Sequence, residues 1–154
     1  MEQFKLENGE RIIHESSLAH VQKKDADFVD PVKGKGLTYC KGILTDKRFV
    51  AIQKPQGGDA ISLAFSPIIG LIMGKPVRFS IPLERLAVIE VGPGAGFTLK
   101  CSDGTGYRVG PDNLWTGQSL EVQRDKWVKA VSDAVVAACP AKTAQVTESR
   151  VEFK

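Results

Sequence analysis

Phe97-Thr-Leu-Lys-Cys-Ser-Asp-Gly-Thr-Gly-Tyr-Arg-Val109, followed closely by Leu120 to Ala138, is the stretch that decides the fold. In its first half Phe97, Leu99 and Cys101 alternate with Thr98, Lys100 and Ser102. An Asp103-Gly104 turn follows, and Tyr107 and Val109 then flank Arg108. A period of two on both sides of an Asp-Gly turn predicts a β-hairpin. In the second half Leu120, Trp127, Val131, Ala134, Val135 and Ala138 recur at helical spacing. They predict one amphipathic helix, opened by Pro111 and Asp112 and stopped by Pro140. Arg124 interrupts the apolar stripe, but its stem is long enough to lie along a core while the guanidinium reaches water.

Toward the N-terminus, period two persists. Leu86 to Val91 reads as a strand, joined to Phe97 by Gly92-Pro93-Gly94-Ala95-Gly96. Phe79, Ile81 and Leu83 alternate with Ser80 and Pro82, and the proline puts that strand at an edge or at its own end. Leu37 to Leu44 and Arg48 to Gln53 read as a hairpin around Thr45-Asp46-Lys47, in which Asp46 can bond nearby amides. Arg11 to Val21 reads as a further strand. Gln22 to Gly36 mixes lysines with aspartates and is broken by Asp30-Pro31, Gly34 and Gly36, so it reads as a long loop.

About seven short strands followed by one helix predict a mainly β protein with a C-terminal helix: a small, bent antiparallel barrel capped by that helix. At 154 residues, 42% hydrophobic and 25% charged, the chain has apolar material for one core. The expected bounds are a domain over residues 1–139, with an apolar insertion near 60–76, and a polar, mobile tail over 140–154 with a short extended piece at Val151 to Phe153.

Charge and cysteine content narrow the function classes. The 21 basic and 18 acidic side chains give a net charge of only +3, so no nucleic-acid partner is expected, and any electrostatic function must be local. The N-terminus, Met1-Glu-Gln-Phe-Lys-Leu-Glu-Asn-Gly-Glu, lacks the apolar stretch of a secretory signal, and a cytoplasmic location is expected. Cys40, Cys101 and Cys139 are odd in number and far apart, and only two histidines accompany them. Free thiols are therefore expected, with no metal and no cofactor.

Several strings, taken in order, resemble the GRAM branch of the pleckstrin-homology-like (PH-like) superfamily, its small bacterial members included. Asn8-Gly9-Glu10-Arg11-Ile12-Ile13 resembles the opening of GRAM domains, and Gly42-Ile43-Leu44-Thr45-Asp46-Lys47-Arg48-Phe49-Val50 resembles their L-T-D/N-K-R hairpin. Ile81-Pro82-Leu83 with Ile89 is similar to the later I-P-L-x-x-I entry. Trp127-Val-Lys-Ala-Val131 is similar to the tryptophan-centred helix of pleckstrin-homology domains. The resemblance implies a seven-stranded bent sheet with the helix plugging one corner. It also implies non-catalytic adaptor work on membrane lipids or protein partners.

Two features stand out as candidate sites. Lys33, Lys35, Lys41, Lys47, Arg48 and Lys54 face only Asp46 as an acid, a local net of +5. Of these, Lys33, Lys35, Lys41, Lys47 and Arg48 are the expected contacts to an anionic headgroup, which would hold the protein at the inner face of a membrane. The same residues also read as the solvated face of a ribbon, where lysines discourage edge pairing. The first loop, with three aspartates among its lysines, departs from the basic-x-arginine pattern of phosphoinositide-binding relatives.

The second feature is Ala60 to Met73, with Ile61, Leu63, Phe65, Ile68, Ile69, Leu71, Ile72 and Met73. Burying these side chains is worth on the order of 10 to 20 kcal/mol, so they must be covered by the chain itself, by a homodimer partner or other protein, or by a membrane surface. The alternative function is accordingly a self-associating interaction protein using residues 61–73, without lipid binding.

Enzyme readings fare worse. His14 and His20 share a strand face with no nucleophile presented between them, and they read as surface polar residues. The glycine string joins two strands where a phosphate loop would open a helix. Trp115 and Trp127 are not interleaved with basic residues, and Trp127 belongs to the helix's core stripe.

Overall fold

A computed structural model describes residues 3–23, 40–53, 77–92, 96–111 and 119–154. The strands are β1 (Ile12–Lys23), β2 (Cys40–Thr45), β3 (Arg48–Gln53), β4 (Val77–Pro82), β5 (Leu86–Val91), β6 (Phe97–Cys101), β7 (Gly106–Pro111), β8 (Ala144–Thr147) and β9 (Arg150–Phe153). The helix, α1, spans Leu120–Ala138, and a 3-10 turn over Leu83–Arg85 links β4 to β5. All pairings are antiparallel, in the order β4-β3-β2-β1-β7-β6-β5-β9-β8. The sheet bends over itself: Phe79 of β4 and Tyr107 of β7, far apart in that order, bring their rings to 4.4 Å. It does not close. Among the described residues β4 and β8 are its edges, so the expected barrel is an open, folded sheet.

The helix seals the concave face. Trp127, Val131, Ala134 and Val135 are buried against Leu18, Cys40, Leu44, Phe49, Leu99 and Val109. The Trp127 indole N–H donates to Ser16 Oγ at 2.7 Å, and its ring meets Phe49 edge-on with centroids 5.4 Å apart. Beneath it, β2 carries Gly42, where an added Cβ would lie 2.7 Å from Leu18 Cδ1 and 3.0 Å from Trp127 Cζ2. The strand must present a bare backbone there for the indole to seat.

Three expectations need correction. The helix starts at Leu120, with the Ser119 hydroxyl accepting from the Val122 amide at 3.2 Å, whereas Pro111 ends β7 opposite Leu18. Nor does the chain beyond Pro140 form a tail. Ala144 and Val146 alternate with Gln145 and Thr147, and a tight turn returns the chain as β9, whose Val151 and Phe153 are buried against the core. β9 pairs with β5, so two strands are added to the seven expected. Finally, His14 is half-buried rather than free at the surface: its ring stands edge-on to Trp127 at 4.4 Å, interplanar angle 83°.

The convex face is covered too. Phe4 is fully buried with Ile43, Val50, Ile52 and Val77, and Leu6 and Ile12 lie beside it. Every residue of β2 is therefore buried, its odd and even side chains facing two different cores.

Candidate functional site

The most organised polar cluster lies at the β2–β3 turn. Gly9 (φ 79°) turns the N-terminal segment so that Glu10 points into the convex face. There the Glu10 carboxylate accepts from Arg48 Nε at 2.9 Å, from Thr45 Oγ1 at 2.6 Å and from the Glu7 amide at 2.9 Å. Arg48 also donates to the Lys5 carbonyl, and its guanidinium lies 5.4 Å above the Phe4 ring. Thr45 Oγ1 in turn accepts from the Lys47 and Arg48 amides at 3.1 Å each. Asp46 Oδ1 takes the Arg11 amide at 3.1 Å, and the Asp46 amide donates to the Arg11 carbonyl at 3.1 Å. Burial alone would raise the Glu10 pKa. The bonds from Arg48, Thr45 and the Glu7 amide, with the Arg48 charge, outweigh it and hold the carboxyl below its usual range.

Two of the strings that carried the family resemblance thus bind each other. Gly9-Glu10-Arg11 and Thr45-Asp46-Lys47-Arg48 form a latch that fastens the N-terminal segment over the convex face. It is a structural device whose charges are already matched.

This arrangement divides the expected headgroup residues. Arg48 is spent on Glu10. Lys41 lies on the convex face of β2, 3% exposed, with Nζ 3.9 Å from Glu15 Oε2; burial depresses the ammonium pKa, with Glu15 pulling it back up. Neither presents the open charge that was expected, because the acids opposite them, Glu10 and Glu15, come from distant sequence. Lys47 is the exposed member, 3.5 Å from Glu7 Oε2. Lys33 and Lys35 lie outside the described residues, as do Ile61, Leu63, Phe65, Ile68, Ile69, Leu71 and Ile72. The structure does not bring Lys47 and Arg48 together with the end of the 24–39 segment. The length of β2, roughly 20 Å, separates the β2–β3 turn from Cys40.

At the other end of β2 the topology gathers chain ends. Cys40 pairs with Gln53, and Ile52 with Val77. The 54–76 segment therefore leaves and rejoins the sheet beside the point where the 24–39 segment rejoins it.

Two clefts remain. One, about 530 Å³, runs between α1 and the β8–β9 hairpin and is floored by Val128, Val136, Ala144, Val146 and Val151. The other, about 610 Å³, lies between the β5–β6 connection and the β8–β9 turn and holds Arg108 and Arg150, the latter 3.0 Å from Glu152. Sequence reasoning missed both because it missed β8. The signal was present as alternation on both sides of Glu148-Ser149. Cys40 and Cys101 are buried free thiols, and Cys139, also free, caps α1. Among the described residues no three or more His, Cys, Asp or Glu side chains gather as a metal site, and no helix is long and apolar enough to cross a membrane.

No protein-family model matches the chain. No curated protein matches it in sequence. Solved structures do resemble it. The N-terminal PH domain of human ARAP2 superposes with a TM-score of 0.50 at 10% identity, over 86% of this chain and 89% of that one. The PH domain of human oxysterol-binding protein-related protein 11 gives 0.49 at 12% identity, over 88% and 91%. A linker-DH/PH fragment of p115-RhoGEF gives 0.49 at 10% identity, over 83% of this chain, which spans only 30% of that fragment's length. The fold is PH-like: a bent antiparallel sheet with one C-terminal helix.

Proposed function

We propose that this chain is a non-catalytic, GRAM-like adaptor module that docks on an anionic membrane surface from the cytoplasmic side, with Lys33 and Lys35 among its contacts. The observation that supports this reading is the shared end of β2, β3 and β4 at Cys40, Gln53 and Val77. Measured along the chain, Lys35 is five residues from Cys40, Lys54 follows Gln53 directly, and Lys75 is two from Val77. Each basic group near an anionic bilayer contributes about 1 kcal/mol, so several within reach of one end suffice for weak, salt-sensitive attachment.

Co-sedimentation with phosphatidylserine-containing vesicles at low salt tests the reading. Wild type is expected to sediment, Lys33→Glu/Lys35→Glu to stay in solution, and Lys47→Glu, at the opposite end of β2, to sediment like wild type. Wild type that fails to sediment at low salt removes the proposal. A dimer by light scattering that Ile69→Asp dissociates would instead favour self-association through residues 61–73.

A further inference from the structure

We propose that the chain pairs with a second copy of itself through β8, edge to edge and antiparallel, about a two-fold axis at Gln145. This inference is independent of membrane docking. It starts from an unpartnered edge: β8 ends the sheet order, and among the described residues β9 is the only strand it pairs with. Val146, 72% exposed, is the most exposed large apolar side chain among the described residues, and Val136 across the cleft is 38% exposed.

Hydrogen-bond parity restricts how a second strand can add. Thr143 and Lys154 exchange both backbone bonds, at 2.8 and 3.0 Å. By the alternation of an antiparallel ladder, Gln145 and Thr147 then also turn their amides and carbonyls toward β9, and Ala144 and Val146 turn theirs to the open edge. A partner strand must meet Ala144 and Val146. For a symmetric pair this excludes every register shifted by one residue.

Sequence then selects among the registers left. Lys142-Thr-Ala-Gln-Val-Thr-Glu148 is self-complementary when reversed. Centred on Gln145, Ala144 faces Val146 of the partner subunit, Thr143 faces Thr147 of the partner subunit, and Lys142 comes beside Glu148 of the partner subunit. The two-fold repeats each pairing. Shifting the centre to Ala144 or Val146 keeps the hydrogen-bond parity but loses the Lys–Glu match. Ala144 and Val146 line the cleft against α1, so this pairing also makes the two clefts continuous and covers Val146. Lys142 Nζ, which donates to the Glu84 carbonyl at 2.9 Å, gains a carboxylate beside it. An extended segment of another protein would meet the same edge without the reciprocal charge match.

Sedimentation equilibrium of the full chain, up to about 1 mM because so small an interface is weak, tests this. Wild type is expected to show a monomer–dimer equilibrium. Val146→Pro, which removes an amide facing away from β9, should abolish it, and Glu148→Lys should weaken it by about tenfold. Lys142→Glu/Glu148→Lys should restore it, a readout that does not depend on how the proline variant folds. A chain monomeric throughout overturns the proposal, whether or not it captures an extended peptide. So does a dimer indifferent to Glu148→Lys, one the charge swap fails to restore, or one that Ile69→Asp alone dissociates.

Discussion

The two faces of β2 are buried by different chemistries. On the concave face Gly42 and Leu44 lie beneath Trp127, in a seal made by shape and apolar area with one hydrogen bond to Ser16. On the convex face Ile43 is covered by Phe4, and the cover is tied down by Glu10, Thr45 and Arg48, residues of a kind normally found in water. The first seal fails by losing volume. The second fails by leaving a charge stranded, so the same loss of stability is reached by opposite routes.

The largest effect expected is on the concave side. Trp127→Ala removes a fully buried indole and should cost about 3 to 5 kcal/mol, read as a lower midpoint in urea unfolding. A loss below about 1 kcal/mol would mean that the helix does not seal the sheet.

The convex latch comes next. Arg48→Ala leaves the Glu10 carboxylate, whose side chain is fully buried, without its cation, and about 3 kcal/mol should be lost. Replacing both partners, Arg48→Met with Glu10→Gln, should recover much of that loss, since matched removal spares the uncompensated charge. If the double replacement is as damaging as Arg48→Ala, packing over Phe4 and not charge matching holds the segment.

Acid separates the two faces. Glu10 has a depressed folded pKa, so the latch contributes fully above the unfolded value near about 4.3 and is lost as pH falls through the lower folded value. His14, on Trp127, is also depressed, by burial first and by the Lys126 charge second. Below about 6.5 the unfolded chain takes the proton that the folded chain resists, so stability falls from there down to the depressed value. Unfolding free energy against pH should therefore decline in an upper window that His14→Gln removes and a lower one that Glu10→Gln removes. A single window surviving both substitutions would contradict this assignment.

Legibility in the sequence followed the same division. The concave face was readable because Phe97, Leu99, Cys101, Val109, Trp127 and Val131 repeat at the periods of strand and helix. The convex face was not. Lys41 and Arg48 read as surface cations because their acids, Glu15 and Glu10, lie more than two dozen residues away, and periodicity carries no information about such pairings. β8 escaped for a different reason: it is only four residues long and polar apart from Ala144 and Val146, whereas β9 was read as a short extended piece but not as a strand of the sheet. Of the expected headgroup residues, Lys41 and Arg48 turn inward and Lys47 outward, a division that proximity along the chain does not reveal. A β-hairpin sends neighbouring residues to opposite faces and its two ends roughly 20 Å apart.

The smallest effect sharpens the contrast most. Lys47 and Arg48 are adjacent, equally charged and part of one string, yet their side chains are 45% and 13% exposed. Lys47 Nζ reaches Glu7 at 3.5 Å across solvent, where screening and side-chain entropy cancel most of the attraction. Lys47→Ala should therefore change stability by less than about 0.5 kcal/mol in the urea series that registers Arg48→Ala. Comparable losses at the two positions would mean that the turn as a whole, and not the inward guanidinium, fastens the N-terminal segment.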